Sequence, residues 1–155
     1  MSAKPRLPYI GYHDKPEDWT DVTKVSERIH RLRRQIALHS YVYYELDETL
    51  ITDWEYELRI LRLIELQLRF PKISASIPFM KKAFLEDDFE STSYHIGDTV
   101  ARSNSKDAIS IRHRAGHLVK LFHASKDTPF ESPGIRKKIG ELNKRISTLK
   151  QVGKR

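Results

Sequence analysis

The chain has 155 residues, the length of one ordinary domain, with 39% hydrophobic and 32% charged residues. It contains no cysteine, which excludes a disulfide scaffold, a thiol nucleophile and cysteine-ligated zinc. No segment approaches the ~20 apolar residues that cross a bilayer, and the N-terminal residues lack the apolar core of a secretion signal. A cytoplasmic protein is therefore expected.

The net charge of +7 is distributed unevenly. Residues 1–100 hold 14 Lys/Arg and 17 Asp/Glu, whereas residues 101–155 hold 14 Lys/Arg and 4 Asp/Glu. This asymmetry is typical of a near-neutral module followed by a basic segment that contacts polyanions. A solvated basic helix that keeps the protein in solution explains the same charges, and charge alone does not decide between the two interpretations.

Residues 1–19 are predicted to form an irregular arm, because Pro5, Pro8 and Pro16 oppose a helix. The first helix is predicted from about residue 20 to 46. Its apolar residues follow steps of three, four and seven and form one stripe: Val22, Val25, Ile29, Leu32, Ile36 and Tyr43.

A second helix is predicted from residue 53 to about 70. Thr52 and Glu55 have the spacing of a capping box, and Pro71 disfavours further helix. Its predicted buried stripe contains Trp54, Leu58, Leu61, Ile64 and Leu68. The two helices should pack as an antiparallel hairpin, so we expect an all-α fold with additional C-terminal helices.

The remaining sequence predicts a short helix within residues 78–90, a loop over 91–105 and a helix over about 106–124. Ser132 is expected to cap a last helix with Pro133 at its first position. The stripe of this last helix would contain Ile135, Ile139, Leu142, Ile146 and Leu149. We therefore divide the chain into a hairpin module with its arm, residues 1–91, and a loop with a basic helical extension, residues 92–155.

The bend of the hairpin gathers aromatic and acidic side chains. Asp53, Tyr56 and Glu57 have the spacing of one helix face, and Tyr43 and Tyr44 lie near the end of the first helix. Tyrosine rings and carboxylates attract a flat cation, and carboxylates also accept hydrogen bonds from ribose hydroxyls. A purely structural role stays open, because tyrosine suits the polar boundary of a helix.

Two further groups of residues suggest other sites. His113 and His117 are four residues apart, as in zinc-binding helices, but Arg114 stands where a metalloprotease motif requires glutamate, so we expect no metal. The predicted last helix carries cations that largely avoid its apolar stripe, and these would contact nucleic-acid phosphates without reading the base sequence. They include Arg136, Lys137, Lys138, Lys144 and Arg145.

Residues 32–71, "LRRQIALHSYVYYELDETLITDWEYELRILRLIELQLRFP", resemble the small N-terminal helical domain of bacterial NAD-dependent DNA ligases. That pattern has a leucine-arginine opening, a His or Asn, a tyrosine cluster, and an Ile-Ser-Asp-x-Glu-Tyr-Asp block before a helix that ends in proline. The resemblance implies a domain that folds over the nicotinamide mononucleotide half of NAD. It implies ligand contacts for Tyr43, Tyr44, Asp53, Tyr56 and Glu57.

The chain departs from the ligase pattern in three respects. Glu57 replaces an aspartate, and Thr49 stands where the family usually has proline. No Lys-x-Asp-Gly motif, which carries the nucleophilic lysine of the ligases, occurs in the sequence. We therefore expect no DNA sealing by this chain alone.

Three functions remain open at this point, the third being an enzyme that consumes NAD, for which the sequence offers acids but no convincing set of nucleophiles. The first is a non-catalytic, ligase-related protein, of bacteriophage or mobile-element origin, that binds NAD or nicotinamide mononucleotide. It would act alone, with a separate ligase or with another DNA-processing protein. The alternative is a DNA-, RNA- or protein-interaction module in which the basic C-terminal helix binds the partner and the hairpin serves only as scaffold.

Overall fold

The computed structural model describes residues 15–85 and 94–152. A short 3-10 turn, Pro16–Asp18, precedes seven α-helices within this part of the chain. The helices are α1 (Val22–Glu45), α2 (Asp53–Arg69), α3 (Pro71–Ser76), α4 (Lys81–Phe84), α5 (Tyr94–Arg102), α6 (Lys106–Ser125) and α7 (Ile135–Val152). The predicted all-α fold is confirmed. Most of the proposed N-terminal arm, and the end of the predicted helix at 78–90, lie outside the described residues.

Helices α1 and α2 pack together as the predicted hairpin, and the other long helices cover its two sides. Helices α5 and α6 pack on α1, whereas α7 packs on α2. The core lies between these layers and contains most of the predicted stripe residues. No helix in the described residues has the length and apolar composition needed to cross a membrane.

Four residues predicted for the buried stripes are instead exposed to solvent: Val22, Tyr43, Trp54 and Leu68. Val22 is the first residue of α1, and Leu68 is next to the last residue of α2. Tyr43 and Trp54 lie at the two sides of the hairpin bend. The stripes therefore predict the middle of each helix correctly but fail at the helix ends.

Helix α5 corrects the predicted loop over residues 91–105. Ile96 and Val100, four residues apart, are buried against α1. Gly97 permits this close approach, because a Cβ atom there would lie 2.7 Å from the carbonyl oxygen of Ser40. The Gly97 N–H donates to Ser40 Oγ at 2.9 Å. The segment is mostly polar, so its pattern did not predict a helix. Its two apolar residues, Ile96 and Val100, are nevertheless buried in a close contact between α5 and α1.

The predicted capping box at the start of α2 is only half formed. Thr52 Oγ1 accepts a hydrogen bond from the Glu55 N–H at 3.2 Å, as expected. The Glu55 carboxylate does not return to the Thr52 N–H, which donates to the Phe130 carbonyl at 3.0 Å. Ser132 does not cap α7, which begins at Ile135, and its hydroxyl donates to Glu55 instead.

The far end of the hairpin from the bend is organised by Arg33, a fully buried arginine of α1. Its guanidinium donates to the carbonyl oxygens of Ser74, Ile77 and Phe79, at 2.9 to 3.2 Å. It also donates to Ser74 Oγ and to Gln67 Oε1. Burial lowers the pKa of Arg33 to about 10, so the side chain stays charged at neutral pH. One cation thus fixes the chain that follows α2.

Replacing Arg33 with Met should destabilise the fold by about 3 kcal/mol, because several buried acceptors would lose their donor. Arg34→Met is the matched control. Arg34 is only half-buried, and its guanidinium makes a long 3.4 Å contact with Ser110 Oγ. The control should lose less than about 1 kcal/mol in urea denaturation. Equal losses in the two variants would contradict the role given to Arg33.

Candidate functional site

A cleft of about 300 Å³ opens at the hairpin bend, between the last turns of α1 and the first turns of α2. All five residues that the sequence predicted for a ligand site line it: Tyr43, Tyr44, Asp53, Tyr56 and Glu57. Asp53, Tyr56 and Glu57 share one face of α2, as their spacing indicated. The structure therefore brings the predicted set together, and their part in ligand binding stays a prediction.

Two tyrosine rings form one exposed wall of the cleft. The centroids of Tyr43 and Tyr44 are 4.9 Å apart, and the rings meet edge to face at 79°. About half of each side chain is accessible to solvent. Partial burial, with smaller contributions from Tyr43 and Asp53, raises the pKa of Tyr44 above its usual value. Tyr44 therefore keeps its phenolic proton at neutral pH and offers both a hydroxyl and a π face.

The charge of the cleft is acidic. Asp53 and Glu57 of α2 and Glu48 of the bend line it, and none of the described lining residues is a Lys or Arg. Asp53 also lies in the first turn of α2, where the helix dipole favours a carboxylate. The cleft should therefore favour a cation or a ligand rich in hydrogen-bond donors.

His39 and Ser40 of α1 are buried residues that line the cleft, and the residue-based site prediction did not include them. Burial, and then the nearby Arg59, lower the pKa of His39 to about 3. Its Nδ1 atom is buried without a hydrogen-bond partner among the described residues. The sequence held a signal for this residue, since His39 occupies the His-or-Asn position of the ligase pattern. The cleft thus contains a neutral imidazole.

The five predicted nucleic-acid contacts of α7 have different environments. Lys137 and Lys144 are exposed, and Lys138 is half-buried. The Arg136 guanidinium lies 5.6 Å from the centroid of the Trp54 ring, which is a cation–π arrangement. The whole set therefore does not form one continuous surface of unpaired cations.

Arg145 in particular is held by the protein itself. Its guanidinium donates to both carboxylate oxygens of the fully buried Glu65, at 2.6 and 2.9 Å. Arg69 lies 3.4 Å from the same carboxylate. This bidentate pair fastens α7 to α2, so the main interaction of Arg145 is structural.

His113 and His117 are exposed on α6. Residues 15–85 and 94–152 contain no group of three or more His, Asp or Glu side chains that could hold a metal ion.

The hairpin is similar to a known protein domain. Residues 22–76, which contain α1, the bend, α2 and α3, match the family described as DNA ligase-like, N-terminal NAD+-binding domain. The match covers about a third of the chain. The family relationship covers all of the cleft-lining residues, from His39 to Ile60.

Curated DNA ligases from thermophilic bacteria are similar to the chain. The Thermotoga petrophila enzyme is 44% identical over 50 residues, which is 32% of this chain and 7% of the ligase. The Thermoanaerobacter sp. (strain X514) enzyme is 45% identical over 47 residues, or 30% of this chain and 7% of the ligase. The Pseudothermotoga lettingae enzyme is 32% identical over 117 residues, or 73% of this chain and 16% of the ligase.

These matches define how far the relationship extends. The chain spans less than one fifth of the length of these curated ligases. The match to the Pseudothermotoga lettingae ligase is longer than residues 22–76, so similarity extends beyond the 40 residues in which the sequence pattern was recognised. No solved structure matches the chain significantly.

His39 should make the stability of the protein depend on pH. Its pKa in the folded state, about 3, lies below the usual value of 6.5, so the unfolded chain binds the proton first as the pH falls. The effect of His39 on the free energy of unfolding should vanish above about pH 6.5. Below that pH it should lower the free energy of unfolding by about 1.4 kcal/mol per pH unit. His39→Asn should reduce this slope in urea denaturation between about pH 6 and 4. His117→Asn, at an exposed position, should retain the wild-type slope, and an unchanged slope in His39→Asn would contradict the assignment.

Proposed function

We propose that the cleft at the hairpin bend binds the nicotinamide mononucleotide half of NAD. The observation that carries this proposal is that the five residues predicted for a ligand site line one open cleft that is acidic and aromatic. The match of residues 22–76 to an NAD+-binding domain family supports the same ligand. The proposed activity is binding rather than catalysis.

The chemistry of the cleft suits the nicotinamide and ribose parts of the ligand, and the phosphate would lie outside the acidic lining. The oxidised nicotinamide ring carries a positive charge, which the tyrosine faces and the nearby carboxylates would attract. Asp53 and Glu57 would accept hydrogen bonds from ribose hydroxyls, because an ionised carboxylate has only acceptor sites. The neutral imidazole of His39 would complete the inner wall without adding a charge.

The size of the cleft supports half of the dinucleotide rather than all of it. At about 300 Å³ it lies at the lower end of the range for small-molecule sites. Its tyrosine wall is half open to solvent, so a bound ligand would stay partly hydrated. We expect nicotinamide mononucleotide to bind with a Kd on the order of 0.1 mM, with NAD similar unless another surface contacts its adenosine half.

Such binding would give the chain a ligase-related role. It would sequester or sense nicotinamide nucleotides, or it would present the nucleotide to an adenylation domain or another DNA-processing protein. Both roles require the same cleft, so ligand binding is the property to test first.

Calorimetry with nicotinamide mononucleotide provides the test. Asp53→Asn and Tyr44→Ala should each weaken binding at least about tenfold, because each removes a charged or stacking contact. Nicotinic acid mononucleotide should bind more weakly than the amide, since its carboxylate would face Glu48, Asp53 and Glu57.

Asp47→Asn is the matched control, because Asp47 is an exposed aspartate of the same bend that does not line the cleft. Its backbone has a φ of 53°, a conformation that asparagine also tolerates. The control should bind like the wild type. Absence of heat with millimolar nucleotide, or equal losses in Asp47→Asn and Asp53→Asn, would reject the proposal.

A second candidate function is nucleic-acid binding by α7. It is favoured by the exposure of Lys137, Lys144 and Lys150 on a helix whose isoleucine stripe is buried. Binding to duplex DNA should then weaken steeply with salt, and Lys137→Glu with Lys144→Glu should abolish it in a filter-binding assay. Arg145 is unsuitable for charge reversal because Glu65 holds it. Binding that does not respond to salt would exclude this function.

A further inference from the structure

A three-residue segment before α7 is hydrogen-bonded to the hairpin bend. The Phe130 N–H donates to the Leu50 carbonyl at 3.0 Å, and the Phe130 carbonyl accepts from the Thr52 N–H at 3.0 Å. Phe130 and Ile51 thus form an isolated parallel β-bridge. The next residue continues the contact, since Thr52 Oγ1 donates to Glu131 Oε1 at 2.8 Å. We call residues 130–132 the clasp.

The third residue of the clasp binds a buried charge. Glu55 is fully buried, and its carboxylate accepts from the Ser132 N–H and from the Ser132 hydroxyl, each at 2.8 Å. The Arg59 guanidinium donates to the same carboxylate at 2.5 Å. A buried carboxylate is stable only when donors replace its lost water, so Glu55 has a strong requirement for Ser132.

The clasp is attached at cleft-lining residues or directly beside them. Leu50 and Ile51 line the cleft immediately before Thr52, and Asp53 follows it. Tyr56, next to Glu55, lines the cleft one helical turn later, and its N–H donates to the Thr52 carbonyl at 3.0 Å. The clasp therefore binds the bend between α1 and α2 at residues that line the cleft or adjoin its lining.

We propose that residues 130–132 hold the hairpin bend in the geometry that binds a nicotinamide ribotide, with Glu55 and Ser132 as positioning residues. This inference rests on the proposed function and adds an assignment for the C-terminal extension. Binding and clasp contacts are then thermodynamically coupled, so a nucleotide in the cleft stabilises the clasp as much as the clasp stabilises the bound nucleotide.

The coupling between the clasp and the ligand can be tested separately from the packing of α7 on α2. The Glu65–Arg145 pair also joins α7 to α2, but Glu65 is ten residues beyond Glu55, or about 15 Å along the helix. The clasp thus lies at the cleft, whereas the Glu65–Arg145 pair lies remote from it. Only the first should influence the ligand.

The test compares two buried serines in the full chain. Ser132→Ala removes a hydroxyl bound to the buried Glu55, whereas Ser74→Ala removes a hydroxyl bound to the buried Arg33, at 3.0 Å, beyond the far end of the hairpin. Both variants should lower the thermal midpoint. Only Ser132→Ala should weaken nicotinamide mononucleotide binding, by about tenfold, and accelerate hydrogen exchange at the Thr52 and Tyr56 amides.

Two readouts separate failure of this inference from failure of the proposed function. If the wild type binds the nucleotide and both variants bind it equally well, the clasp has no positioning role. If the wild type does not bind, the proposed function fails and the nucleotide-binding role of the clasp fails with it. Hydrogen exchange then tests only whether the clasp holds the bend: faster exchange in Ser132→Ala alone supports this bracing, and equal exchange in both variants overturns it. Should Ser132→Ala fail to fold, Glu131→Ala, at an exposed residue, takes its place with the same readouts and outcomes.

Discussion

The buried carboxylate of Glu55 is the constraint on which the arrangement of this protein depends. A fully buried negative charge must be surrounded by donors, and only one of its three described donor groups, Arg59, lies on the same helix. Ser132 supplies the other two hydrogen bonds and brings the segment before α7 against the hairpin bend. Because Asp53 and Tyr56 lie within two residues of Glu55, the same charge links the hairpin core, the C-terminal extension and the candidate ligand cleft.

The hairpin could be predicted from sequence because the middle of a helix has one dominant signal, its apolar periodicity. The bounds of α1 and α2 were also predicted to within about two residues, but the surroundings of the side chains at the helix ends could not be, because several weak interactions compete there. Trp54 fits the stripe of α2 but lies outside the covering layers and contacts Arg136 instead. Glu55 has the spacing of a capping residue, yet a partner 77 positions away binds its carboxylate. Helix α5 depends on the absence of a side chain at Gly97, which a search for apolar stripes does not detect.

In the candidate site, too, the sequence predicted which residues come together but not the environment of each one. Helical spacing alone grouped Asp53, Tyr56 and Glu57, and the short bend brought Tyr43 and Tyr44 beside them. The ligase resemblance pointed to the same positions, and the family match covers the whole hairpin. What the sequence could not show was the environment of single charges. Arg145 was predicted to be a surface cation, but it forms an ion pair with the buried Glu65. His39 stays neutral because burial disfavours its protonated form.

The most direct test is a two-dimensional NMR titration of the isotope-labelled chain with nicotinamide mononucleotide. Saturable shift changes should appear at the amides of Tyr44, Asp53 and Tyr56, with a second group at Phe130 to Ser132 that reaches saturation at the same ligand concentration. Such a pattern would locate the ligand in the cleft and show its coupling to the clasp. Shift changes restricted to α7, or none at millimolar ligand, would contradict this account of the protein.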